Sequence, residues 1–145
     1  MDNQGDEPQF DELYRDLILD HYRSPRNRGV IVEPDVDLIQ HNPVCGDEIR
    51  LTAKIVDGRV SSIEFTGQGC SISQASASML TDMVTGRDIE GITELADSFR
   101  NMLRGNEPNE RLMEDLMALK GVSKYPVRVK CAVLAWDTLQ KALEL

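Results

Sequence analysis

The sequence has no C-x-x-C pair and only three cysteines, Cys45, Cys70 and Cys131, an odd number at wide spacing. That suits a reducing compartment better than a disulfide framework, and leaves the thiols for metal binding, catalysis or packing. No stretch approaches the roughly 18 apolar residues of a membrane span. The opening MDNQGDEPQF carries acidic residues and no apolar leader core, so a soluble, cytoplasmic protein with no membrane partner is expected. Basic residues are scarce too. Sixteen Lys and Arg against 25 Asp and Glu give a net charge of -9, which repels phosphate backbones and argues against a nucleic-acid partner. Internal repeats, low-complexity tracts and the βαβ alternation of a doubly wound fold are all missing.

What is present is a clear change of period along 145 residues, a length that suits one domain able to bury a core without staples. Residues 1–9 are polar and read as a flexible, frayed N-terminus, with a single domain over 10–145. Phe10, Leu13, Tyr14, Leu17, Ile18 and Tyr22 recur at helical spacing and predict an amphipathic helix that ends before Ser24-Pro25. A basic loop with Arg23, Arg26 and Arg28 follows, suited either to solvent or to an acidic partner surface, and then a short edge strand within 30–40 interrupted by Pro34. Ile49, Leu51, Ala53 and Ile55 alternate with polar residues, and Asp57-Gly58 marks a hairpin to a second strand at 60–66. Helical spacing returns at Ser71, with Ser71 or Ser73 as N-cap and Gly86 as C-cap. Further helices are expected at 92–103 and at 109–119, the latter closed by Gly121. A final helix after Pro126 should bury Val127, Cys131, Leu134, Ala135, Thr138, Leu139 and Ala142. The order predicts an α+β fold, a small antiparallel β-sheet with α-helices packed on one face.

Each cysteine falls at an element boundary: Cys45 in the turn NPVCGD, Cys70 after Gly67-Gln68-Gly69, and Cys131 near the start of the last helix. Element ends gather at one edge of a layer, so the three sulfurs can converge. Helix N-termini at Cys70 and Cys131 favour thiolates, and Asp47 can point back at the same place. Three thiolates and a carboxylate form a tetrahedral donor set for zinc or iron, more exchangeable than four cysteines. The gaps match no general metal template, so spacing alone leaves both ligation and plain packing open.

Four segments, DHYRSPRNRG, NPVCGDEIRL, GQGCSISQASASML and RVKCAVLAW, stand in an order that resembles the iron-sulfur assembly proteins of the IscU and NifU N-terminal superfamily, most closely its SufU branch. The resemblance runs from about Leu13 to Leu143 and implies the SufE/NifU-like, IscU-like fold. It also implies a zinc site made by Cys45, Asp47, Cys70 and Cys131, with Cys45 as sulfur acceptor. The implied partners are a SufS-type cysteine desulfurase and downstream Suf assembly components or a scaffold. Two features favour the SufU branch over IscU: Lys130 stands where IscU-like scaffolds carry a histidine, and residues about 90–122 form an extra helical segment. The alternative is a scaffold on which iron or a transient [2Fe-2S] or [4Fe-4S] cluster is held by the three cysteines. Cys45, on the most mobile of the three settings, is the ligand expected to be released for reaction. Arg128, about one turn before Cys131, is a candidate catalytic residue that would bond Asp47 or steer an approaching thiolate.

Other residues read as structural. GQGCSI lacks the third glycine of a dinucleotide fingerprint and follows an antiparallel hairpin. His41 is a loop residue and a minor alternative to Asp47. His21 suits the helix C-terminal dipole. Ala75, Ser76, Ala77 and Ser78 suggest close packing of a helix on the sheet, and Trp136 a core or interface anchor.

Overall fold

A computed structural model describes residues 12–145; the segment expected to fray at 1–9, and Phe10, lie outside the described residues. Helix α1 (Glu12–Arg23) precedes three strands, β1 (Val36–Asn42), β2 (Asp47–Val56) and β3 (Arg59–Gln68). Helices α2 (Ser71–Val84), α3 (Ile89–Leu103) and α4 (Glu110–Met113), a 3₁₀ segment (Glu114–Lys124) and α5 (Pro126–Ala142) complete the chain. The fold is α+β, as the change of period predicts.

The strands form one antiparallel sheet in the order β1-β2-β3. Asp57 and Gly58 both take positive φ, 52° and 74°, the pair a two-residue type I′ turn needs to match strand twist. Strand β1 begins two residues after Pro34, since proline has no N–H to offer a ladder. Ile49, Leu51 and Ala53 of β2 and Ile63 and Phe65 of β3 point to one face and are fully buried or nearly so. Helices α2 and α5 cover that face. The free edge of β3 is closed by the basic loop: Phe65 N–H donates to Asn27 O (3.0 Å) and Gly29 N–H to Phe65 O (2.9 Å). Arg26 pairs with Asp20 and Arg28 lies over the Phe65 ring, so two of the three loop arginines are held by the fold.

Helix α2 is the hub, packed against α1, α5, β3 and the 3₁₀ segment. Its run Ala75, Ser76, Ala77 and Ser78 is buried on every side, which only small residues permit. These residues therefore serve helix-helix contact as well as the expected helix-to-sheet contact. Ser76 Oγ donates to Ala132 O (2.6 Å) and accepts from Trp136 Nε1 (3.2 Å), locking α2 to α5. Trp136 is fully buried, with its ring centroid 5.1 Å from that of Phe99 on α3. Each such side chain contributes about 1.5–3 kcal/mol by burial.

Several local expectations are corrected. Leu13 is 72% exposed, because α1 packs mainly on α2 and the 3₁₀ segment and buries a stripe narrower than its apolar pattern. His21 does lie in the last turn of α1, but it is also a buried anchor: it is 1% exposed, with Nδ1 2.8 Å from Ser78 Oγ and Nε2 3.3 Å from Asp115. The helix expected at 109–119 is one short turn that breaks at Glu114, where φ is +46°, and continues as the 3₁₀ segment through Gly121. On α5, Val127 is 53% exposed and Ala142 only partly buried, whereas Ala132 and Trp136 are buried.

Candidate metal centre

Cys45 sits in a four-residue loop joining β1 to β2, whose last cross-strand pair is Asn42 with Asp47. Asn42 builds the loop: its Oδ1 accepts from Val44 N–H (3.1 Å) and its carbonyl from Gly46 N–H (2.8 Å), with Gly46 at φ +72°. The Asn-Pro start of NPVCGD is the sequence signal that would have marked Asn42 as the turn maker. The loop presents Cys45 half-buried. Asp47, the first residue of β2, turns inward and is 1% exposed.

The joint between β3 and α2 brings Cys70 alongside. Neither Ser71 nor Ser73 caps α2; Cys70 does, its sulfur accepting from Ser73 N–H at 3.5 Å. Cys70 N–H in turn donates to Asp47 Oδ1 (2.9 Å), tying the start of β2 to the start of α2. This approach depends on Gly69, at φ +150°, where a Cβ would collide with the Asp47 carboxylate. Cys131 is fully buried in the second turn of α5. The Val127 carbonyl, which no sequence pattern flags, accepts from the Cys45 thiol at 3.7 Å and lies 3.7 Å from Cys131 Sγ.

One ligand atom each from Cys45, Asp47 and Cys131 lies within 4.8 Å of the other two. Cys70 stands outside that trio but touches it, its sulfur taking a hydrogen bond from the Cys131 thiol. That bond pulls the Cys70 thiol down to about 6 against the opposing effect of burial, with the Ser73 and Ile72 N–H groups helping and the Asp47 charge resisting. The same bond, then burial and the Cys45 sulfur, push the Cys131 thiol far above its usual range.

A metal ion fits this donor set on two grounds. Asp47 Oδ2 is buried without any hydrogen-bond partner, an arrangement that costs free energy unless a cation meets it. Ligands of a tetrahedral zinc also stand about 3.8 Å apart across the ion, a spacing the 4.8 Å group reaches with small side-chain shifts. His41 takes no part: it is exposed and faces Glu48 at 3.4 Å across the β1–β2 pair. Arg128 lines a cleft of about 460 Å³ beside Cys45, together with Val44, Lys124, Tyr125, Pro126 and Val127.

The model of the NifU-like N terminal domain matches residues 13–144. The chain is 46% identical over 135 residues to the zinc-dependent sulfurtransferase SufU of Bacillus subtilis, covering 92% of this chain and 91% of that one. It is 39% identical over 138 residues to the iron-sulfur cluster assembly scaffold protein IscU of Streptococcus pyogenes, covering 94% and 86%. Among solved structures it resembles the SUF-system protein FiSufU of Fervidobacterium islandicum, with a TM-score of 0.83, 31% identity and coverage of 88% and 93%. With a family model matched from the first helix to the last and relatives aligned over nearly their whole length, the chain belongs to the NifU-like N-terminal domain family, the superfamily of IscU and SufU.

Proposed function

We propose that this protein is a zinc-dependent sulfur acceptor in iron-sulfur cluster assembly, taking persulfide sulfur from a SufS-type cysteine desulfurase and so raising its turnover. The observation that carries the reading is an asymmetry: Cys45 lies on a loop beside an open cleft, whereas Asp47 begins a strand and Cys70 and Cys131 are held on helices. The 46% identity to a zinc-dependent sulfurtransferase supports it. Lys130 in the place of the IscU histidine points the same way. Residues 10–145 act as one domain in this reading, with 90–122 as its helical insertion, in the cytoplasm. Among the described residues no helix is long and apolar enough to cross a membrane.

Cys45, Asp47, Cys70 and Cys131 would hold the zinc, which when bound keeps thiols deprotonated near neutral pH and neutralises the buried carboxylate. The chain's own residues do the rest. Asn42 shapes the loop that presents Cys45 to the cleft, and without metal the Val127 carbonyl accepts the hydrogen bond of the Cys45 thiol. As thiolate, Cys45 attacks the outer sulfur of the donor persulfide. A sulfur-sulfur bond forms at Cys45, the donor's own breaks, and the donor cysteine leaves as thiolate with no net oxidation. Arg128, in the cleft wall, favours the approach of an anionic donor. Sulfur would then pass to downstream Suf components or a scaffold.

The test is a desulfurase assay with the wild type and Cys45→Ser, reading turnover, bound metal and persulfide on each cysteine. Persulfide on Cys45 with stoichiometric zinc, and loss of stimulation to background in the variant, are expected. Full stimulation by Cys45→Ser would leave contact activation alone. A second reading, a cluster scaffold, has in its favour the three clustered thiols and the 39% identity to an IscU scaffold. Iron and acid-labile sulfide in the purified protein would favour it.

A further inference from the structure

The cleft beside Cys45 differs in charge from the molecule around it. The protein carries a net charge of -9, yet among the described residues the lining of this cleft includes Lys124 and no carboxylate. Lys124 is exposed and enters no ion pair among the described residues. Val44 and Val127, 59% and 53% exposed, supply apolar flanks, and Tyr125 and Pro126 also line the cleft. At about 460 Å³ the cavity falls within the size range of small-molecule sites, roughly 300–1,000 Å³.

From this juxtaposition of a nucleophile's sulfur, a molecule-sized cleft and the exposed Lys124 ammonium, we propose that the cleft is a binding site for a small carboxylate-bearing thiol that discharges the Cys45 persulfide. The proposal rests on the reading of Cys45 as sulfur carrier. The incoming thiolate attacks the outer sulfur of the Cys45 persulfide, forming a new sulfur-sulfur bond. The bond to Cys45 breaks, Cys45 leaves as thiolate, and the transferred sulfur keeps its proton, so no oxidant or reductant is consumed. Lys124 engages the carboxylate and sets the thiol's approach. Such a step would let the protein release sulfur as a soluble persulfide when no protein acceptor is docked.

The experiment uses the metal-loaded full-length chain, with the Cys45 persulfide installed by inorganic polysulfide and verified by its mass gain of one sulfur atom, so that no desulfurase is involved. Discharge is timed with 3-mercaptopropionate and with its uncharged methyl ester at equal thiolate concentration. An advantage of about threefold for the carboxylate, the factor an exposed ion pair supplies, is expected, shrinking at high salt and reversing in Lys124→Glu. Separately, the unreactive S-methylglutathione should shift the backbone amide resonances of Val44, Lys124, Tyr125 and Arg128 in wild type and not in Lys124→Glu. Equal rates for acid and ester, or no shifts at these residues, would overturn the proposal. Failure of polysulfide or a desulfurase to load Cys45 at all would instead strike the carrier reading, while the shift experiment, which needs no persulfide, still judges the site.

Discussion

Asp47 illustrates how one side chain can serve two masters. Its Oδ1 accepts the Cys70 N–H, a structural bond, while Oδ2 is buried and unpartnered among the described residues, a cost that a bound cation removes. The two roles separate in Asp47→Asn, which keeps an acceptor for Cys70 and loses the charge. Zinc affinity should fall at least about tenfold, since even residues behind the ligands cost 10- to 100-fold when changed. The metal-free variant should be as stable as metal-free wild type or more so, because an unpartnered buried carboxylate is gone. Competition with a chromophoric chelator and urea unfolding in EDTA check the two halves; equal zinc affinity would remove Asp47 from the ligand set. The sequence made Asp47 visible as a candidate through its place two residues after Cys45. It could not show the empty oxygen, which depends on what 98 residues further along the chain do not supply.

At the scale of elements, the centre is assembled from three ends: the β1–β2 loop, the β3–α2 joint and the second turn of α5. These boundaries were legible, since alternation ends where glycines and helical spacing begin. The caps were not. Serine outranks cysteine as an N-cap, so Ser71 and Ser73 drew the sequence argument, whereas the fold turns the Cys70 sulfur onto Ser73 N–H. The two loop glycines give a contrast that tests the joint. At Gly46, φ is +72° with no atom near an added Cβ, so Gly46→Ala should cost about 1–2 kcal/mol from backbone conformation alone. At Gly69, φ is +150° and an added Cβ meets the Asp47 carboxylate, so Gly69→Ala should cost more, about 3 kcal/mol, and should lower zinc affinity as well. Chemical unfolding and zinc titration of both variants decide it. Similar losses in the two would mean that the Gly69 approach is not what holds the joint closed.

For the whole molecule, the telling residue is far from the cysteines. His21 is buried where α1, α2 and the 3₁₀ segment meet, bonded to Ser78 and to Asp115, and Ser78 Oγ also accepts from Arg26 N–H (2.8 Å). Through that point the helical stretch after α3 is fastened to α2, the element whose N-terminus bears Cys70. His21→Ala leaves a cavity and a buried hydroxyl with one partner fewer, so global stability should drop by about 2–4 kcal/mol. Asp115→Asn, at a side chain 54% exposed, should cost under about 1 kcal/mol. Urea midpoints measure both, and a mild His21→Ala would show that the three elements are held by apolar contacts alone. By itself the sequence determined the order of elements, the antiparallel hairpin and the α+β class, because these follow from local periodicity and turn chemistry, whereas the joining of the three cysteines with Asp47 was implied by the family resemblance. Only the tertiary structure decided which face of α1 is covered, why His21 is internal, and that a cleft flanked by Lys124 opens beside Cys45. Those are properties of neighbours brought together across 20 to 100 residues of chain, and packing of that kind leaves no local pattern to read.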